Sequence, residues 1–153
     1  SERSLESVSL DAIASHLADA FRVVAEDRGV SLVCRTRPAS VRGVPEQLRE
    51  AIGNLLENAL RHTPSGGRID LEVDAVDGRA HLCVTDTGPG LRPDQIERVF
   101  ERFYSEPGSG TGSGLGLSIA CAVARAHGGE IAASSPGGAR FEMVLPLAGW
   151  ESR

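Results

Sequence analysis

Residues 48–62 read LREAIGNLLENALRH, with Asn54 and Asn58 four positions apart. At about 100° of rotation per residue in a helix, Leu48, Ile52, Leu55, Leu56 and Ala59 fall on one stripe. Asn54, Asn58, Arg61 and His62 gather on another face. The first stripe predicts a surface turned to the core. The second is either a solvated helix face or the wall of a polar site. Two carboxamide carbonyls one turn apart can hold a hard cation such as Mg²⁺ together with phosphate oxygens. This helix alone leaves both readings open.

Working outward, Pro45 suits the first turn of the helix, and TPSGG at residues 63–67 stops it. Upstream, residues 10–28 repeat apolar side chains at helical spacing (Leu10, Ile13, Leu17, Phe21, Val24), with Ser9 or Asp11 as cap and Gly29 as stop. Residues 30–35 read as a strand and 40–43 as a short edge strand. Residues 1–9 are polar and are expected to fray or to be the remnant of a linker. Downstream, 68–75 and 80–85 read as strands joined by a hairpin at Asp77-Gly78. A short helix is expected over 93–103 and a longer one over 114–127. Residues 130–135 and 140–147 form a closing hairpin around Pro136-Gly137-Gly138, and 148–153 is a tail. The predicted domain is 10–147. The predicted class is α+β: a two-layer α/β sandwich whose mixed, mostly antiparallel sheet packs on three main helices.

The 153 residues suffice for one domain with a core, and 4% aromatics make that core mostly aliphatic. A net charge of −5 argues against a dedicated nucleic-acid surface. All 16 basic residues are Arg, so phosphate contacts must come from Arg, backbone N–H or neutral polar groups. Cys34, Cys83 and Cys121 are far apart and sit in apolar runs, the pattern of buried reduced thiols in a cytosolic protein. No stretch approaches the roughly 20 apolar residues of a membrane span, and no signal peptide is visible. The chain begins at Ser1 without Met and is expected to be part of a longer protein.

Two more stretches carry chemistry. Asp86-Thr87-Gly88-Pro89-Gly90 follows a strand that reads as buried. A carboxylate there needs a partner, and an exocyclic amine such as adenine N6 is a suitable donor. Gly88 and Gly90 would let a flat ring approach the backbone. The other reading is an Asx-capped turn and nothing more. GTGSGLGL, residues 110–117, opens a helix. Successive N–H groups at a helix N-terminus make an anion cradle, to which Thr111 and Ser113 could add hydroxyls. The segment is not a P-loop, because no GK[ST] follows. A flexible linker is the other reading.

The order NLLENA, DTGPG, VFERF, GTGSGLGL resembles the ATP-binding catalytic domain of bacterial sensor histidine kinases, a branch of the Bergerat-fold ATPase and kinase group. The resemblance spans about residues 10–147. It implies that Asn58 and Asn54 coordinate Mg²⁺ on the ATP phosphates and that Arg61 contacts phosphate. His62 would stack on or hydrogen-bond the nucleotide. Asp86, with Gly88 and Gly90, would take the adenine. Gly112, Gly114, Leu115, Gly116 and Leu117 would wrap the phosphates. Phe100 and Phe103 would anchor an ATP lid running from about 91 to 113, a segment suited to ordering on nucleotide binding. Ala139 stands where many relatives carry Thr, which would remove a hydroxyl or water contact near Asp86.

Within that group, the ATPases and the anti-sigma serine kinases carry a Glu four residues before the metal-binding Asn. Here that position is Asn54, and an amide cannot take a proton at neutral pH. Glu57, about 60° off the site face, and Glu50 both read as solvated. None of His16, His62, His81 or His127 sits in a phosphoacceptor signature, and His127 reads as a cation at a helix end. The resemblance therefore implies a histidine kinase catalytic domain that acts on a histidine of a separate dimerisation domain, for relay to a response regulator. An anti-sigma serine kinase is the alternative. The whole protein is expected to be membrane-anchored in a bacterium, with this domain cytoplasmic, touching neither membrane nor nucleic acid, and unable to autophosphorylate alone.

Overall fold

The computed structural model describes residues 5–104 and 114–150. Its elements run β1 (Glu6–Ser9), α1 (Leu10–Asp27), β2 (Ser31–Thr36), β3 (Ser40–Gly43), α2 (Pro45–His62), β4 (Arg68–Val76), β5 (Arg79–Asp86), α3 (Pro93–Arg98), α4 (Gly116–Ala126), β6 (Glu130–Ser134) and β7 (Arg140–Pro146). A five-stranded sheet in the order β2-β4-β5-β7-β6 carries the three long helices α1, α2 and α4, and β1 and β3 form a separate two-stranded sheet. Only the β2–β4 pairing is parallel among the sheet pairs. This is the α+β two-layer sandwich expected, with a mixed and mostly antiparallel sheet.

Period-two alternation decides which side chains the sheet offers the helices. Ile69, Leu71 and Val73 of β4 are buried, as are Ala80, Leu82 and Val84 of β5 and Phe141, Met143 and Leu145 of β7. Leu48, Ile52, Leu55, Leu56 and Ala59 of α2 close on them at 0–1% exposure. Asp86 continues the inward series 80, 82, 84. The alternation that builds the core thus delivers a carboxylate to its edge. The β4–β5 hairpin turns through Asp77 and Gly78 at φ 50° and 77°, the left-handed pair that a two-residue type I′ turn demands.

Three expectations need correction. Residues 6–9 do not fray: β1 pairs antiparallel with β3 from Glu6↔Gly43 to Ser9↔Ser40. Ser9 caps α1, and its hydroxyl accepts from the Ala12 N–H. Strand β3 is consequently not an edge of the main sheet. Helix α3 ends at Arg98 and does not continue to Phe103. Val99 is buried, and Phe100 meets Phe141 edge-on with ring centroids 6.0 Å apart, so core contacts there continue without helix. Cys83 and Cys121 are buried, Cys34 is half-buried, and all three are free. Burial pushes the Cys34 and Cys121 thiols up, which keeps them protonated.

Candidate functional site

A cavity of about 700 Å³ opens between α2, the end of β5, α3 and the start of α4. It falls within the size range of small-molecule sites. Its lining includes Asn54, Asn58, Arg61 and His62 from α2, Asp86 and Gly90 after β5, and Gly114, Leu115, Gly116 and Leu117 at the mouth of α4. Residues from three separate stretches therefore meet in one hollow. Gly112, with Thr111 and Ser113, lies outside the described residues.

Asp86 is 4% exposed. Its Oδ1 accepts from the Gly88 N–H at 2.8 Å and the Ala139 N–H at 3.2 Å. Among the described residues nothing donates to Oδ2, yet no side-chain polar atom is both buried and unpartnered. Oδ2 therefore opens to the cavity. The two sequence readings of DTGPG are thus two oxygens of one carboxylate. Oδ1 makes the Asx turn, and Oδ2 is the acceptor left on the cavity side. Ala139, which has no hydroxyl to offer, contributes its backbone N–H.

On α2, the Asn54 Nδ2 donates to the Gly116 carbonyl at 3.2 Å, which ties this helix to the start of α4. Its Oδ1 has no partner among the described residues, and the residue lines the cavity. Asn58 is 8% exposed, and its carboxamide has no partner among the described residues. His62 donates from Nδ1 to the Asn58 carbonyl at 2.9 Å, because a carbonyl oxygen can only accept. Its Nε2 has no hydrogen-bond partner among the described residues, and the residue lines the cavity. Arg61 is exposed and makes no ion pair among the described residues. Glu50 and Glu57 are exposed, as expected, but they also stand in the cavity lining, nearer the site than the 60° offset suggested.

At Gly88, Gly90 and Gly114 the missing side chain makes room for other parts of the protein. A methyl on Gly88 would lie 2.5 Å from the His62 carbonyl oxygen, and Gly88 is not in the cavity lining. Its bareness makes room for protein backbone. Gly90, at φ 77°, faces Ser135 and Gly138 in the same way, though it does line the cavity. Gly114, at φ 76°, backs directly onto Phe103. The Phe103 N–H donates to the Gly114 carbonyl at 2.8 Å, a backbone bond that closes the chain across residues 104–113. The Phe103 ring is 65% exposed with the Arg102 guanidinium over it, so Phe103 anchors through its main chain and Phe100 through its ring. Helix α4 begins at Gly116 with no side-chain cap, so its first N–H groups remain available at the cavity wall.

This arrangement pairs a base-sized acceptor pocket with an amide-lined, uncapped helix end suited to phosphates. A family model described as "Histidine kinase-, DNA gyrase B-, and HSP90-like ATPase" matches residues 43–149. The chain belongs to this ATPase family. It is 41% identical over 133 residues to the sensor histidine kinase CusS of Escherichia coli strain K12, a match covering 84% of this chain and 28% of CusS. The mycobacterial sensor histidine kinase MprB superposes at TM-score 0.86 with 32% identity, covering 93% of this chain and 98% of that structure. Full-length ShkA in complex with AMPPNP superposes at 0.85 with 29% identity, covering 99% of this chain and 33% of ShkA. The chain spans less than a third of the length of curated relatives it matches, CusS and BaeS among them. No helix among the described residues is long and apolar enough to cross a membrane.

The donor set suits a lightly ligated divalent ion. Among the described residues there is no cluster of three or more His, Cys, Asp or Glu side chains able to hold a metal. The amides of Asn58 and Asn54 are neutral oxygen donors. Mg²⁺ commonly takes only one or two protein ligands and completes its shell with phosphates and water.

Proposed function

We propose that this chain is the ATP-binding catalytic domain of a sensor histidine kinase, spanning residues 10–147 with β1 as its stem. It binds Mg-ATP and presents the γ-phosphoryl group to a histidine on the dimerisation domain of the same full-length kinase. The imidazole nitrogen forms the new P–N bond as the bond to the ADP oxygen breaks. The phosphoryl group then passes to a response regulator. In this reading the domain is cytoplasmic and the whole protein is anchored in a bacterial membrane.

The observation that carries the reading is Asp86 Oδ2, the oxygen of a buried carboxylate that opens to the cavity and has no donor among the described residues. Adenine N6–H₂ supplies that donor. The opposite wall receives the triphosphate. Arg61 offers a forked cationic contact, the first N–H groups of α4 cradle phosphate oxygens, and Asn58 with Asn54 hold Mg²⁺, which neutralises charge on the transferred group. These residues position and stabilise charge. None of them is a base for water, since Asn54 is an amide and spends its N–H on Gly116. That also disfavours the anti-sigma serine kinase alternative.

The test mixes the domain with labelled ATP and the dimerisation domain of its own full-length kinase. The expected product is a phosphorylated dimerisation domain whose label is lost in acid, as phosphohistidine is. An acid-stable label would point to serine transfer, and absence of nucleotide binding would defeat the reading.

A further inference from the structure

Helices α2 and α4 run antiparallel and are tied at two points, the start and the middle of α2 meeting the end and the start of α4. On the cavity side the tie is the Asn54 Nδ2 bond to the Gly116 carbonyl. At the far end it is a single imidazole. His127, the C-cap of α4, has Nδ1 2.7 Å from the Val123 carbonyl, and its Nε2 lies 3.1 Å from the backbone nitrogen of Val44, the N-cap of α2. A carbonyl can only accept, so Nδ1 carries the proton. An N–H can only donate, so Nε2 must be bare. The ring is therefore neutral in its Nδ1–H tautomer, and the expectation of a cation at the helix end is corrected.

The spacing gives these ties a function. Val44 to Asn54 is ten residues and Gly116 to His127 is eleven, each about 15–17 Å of helix. Two ties at matching intervals on antiparallel rods prevent one from sliding along the other. The rods carry the two halves of the phosphate wall, with Asn54, Asn58 and Arg61 on one and residues 114–117 on the other. Gly43 makes the far tie possible, because a methyl there would lie 2.5 Å from His127 Cδ2 and 2.7 Å from Nε2.

We propose that His127 is a positioning residue for the nucleotide site. Its neutral imidazole sets the axial register between the asparagine-bearing helix and the glycine-rich helix start. The inference rests on the nucleotide-binding reading above.

The experiment uses four variants. His127→Ala removes both bonds. His127→Asn keeps a donor near the Nδ1 position but no acceptor that reaches Val44. His127→Gln places an amide oxygen near the Nε2 position. Gly43→Ala displaces the ring without altering it. Nitrogen-15 spectra of the wild type should show Nδ1 protonated and Nε2 bare. The Val44 amide should exchange slowly in the wild type and in His127→Gln, and faster in the other three. Mg-ATP affinity should fall about two- to tenfold in those three, the worth of one neutral hydrogen bond, and recover in His127→Gln. An Nε2-protonated ring, or a glutamine variant no better than alanine, overturns the proposal. So does faster Val44 exchange with unchanged affinity. A wild type that binds no Mg-ATP defeats the functional reading itself, whereas normal wild-type binding with a flat variant series defeats only the register.

Discussion

The Asn54 side chain and the Gly116 carbonyl oxygen are joined by a 3.2 Å hydrogen bond, so the helix that carries the candidate metal-binding amides holds the first residue of the glycine-rich helix. Replacing Asn54 with Asp puts a carboxylate against that carbonyl, two acceptors face to face. The expected outcome is a Mg-ATP affinity lowered about tenfold or more, from the lost bond and the repulsion together, with the midpoint of thermal unfolding little changed. Calorimetric titration beside a melting curve checks both. An affinity equal to wild type would show that this tie does not shape the site.

Asp86→Asn keeps the shape of the side chain and reverses the polarity of one atom. The remaining oxygen still serves Gly88 and Ala139, and an NH₂ now faces the cavity where Oδ2 stood. Adenine N6 would meet a donor in place of an acceptor. ATP binding should weaken about ten- to hundredfold, the range for a lost hydrogen bond to a charged group. GTP, whose base offers an acceptor at the equivalent position, should lose less. Competition of the two nucleotides against a fluorescent analogue measures the ratio, and equal losses would argue that Asp86 does not read the base.

Gly88→Ala tests what the glycine is for. The added methyl meets the His62 carbonyl, which belongs to backbone and cannot swing away. Overpacking of this kind costs about 1–3 kcal/mol. Each kcal/mol lowers the melting temperature by roughly 2–4 °C for a chain of this size. A variant with wild-type stability and selectively lost nucleotide binding would instead restore the view that Gly88 makes room for the base.

Asp11 supplies a pH dependence. Burial pushes its carboxyl up, but the Ala39 N–H, the Ser9 hydroxyl and its own backbone together hold it below the usual aspartate value. A carboxylate with a lowered folded-state pKa stabilises the fold above its unfolded value of about 3.9, and that contribution disappears as pH falls through the folded value. Asp11→Asn should therefore melt below wild type at neutral pH, with the gap closing as pH drops under about 4. Melting curves across that range decide the matter, and a gap independent of pH would mean the charge contributes nothing.

Much of this was legible in the chain because it is written in periodicity. The apolar stripe of α2 and the alternation through Ala80, Leu82 and Val84 placed both the core and the inward carboxylate of Asp86. What escaped depends on distant partners. β1 has one buried apolar residue, Val8, and becomes a strand only because β3, more than thirty residues on, accepts it. α3 keeps apolar spacing through Phe103, yet Val99 and Phe100 find their contacts without helical geometry, and the chain turns at Phe103 with φ 65°. The pocket glycines were legible as glycines, but what each makes room for was not, because the facing atoms come from other elements. His127 was legible as a helix terminus and illegible as an acceptor, because its donor sits 83 residues away.

The main-chain bond between Phe103 and Gly114 has a consequence for how this fold tolerates change. That one bond holds two chain positions eleven residues apart side by side, so the packing behind them depends on the pair and not on the number of residues that join them. Doubling the length of a loop adds only about 0.6 kcal/mol of closure entropy. Insertions after Tyr104, which itself packs against the core, should leave the sheet, the helices and the inward carboxylate of Asp86 undisturbed, which makes that connection the place where this scaffold can diversify most cheaply.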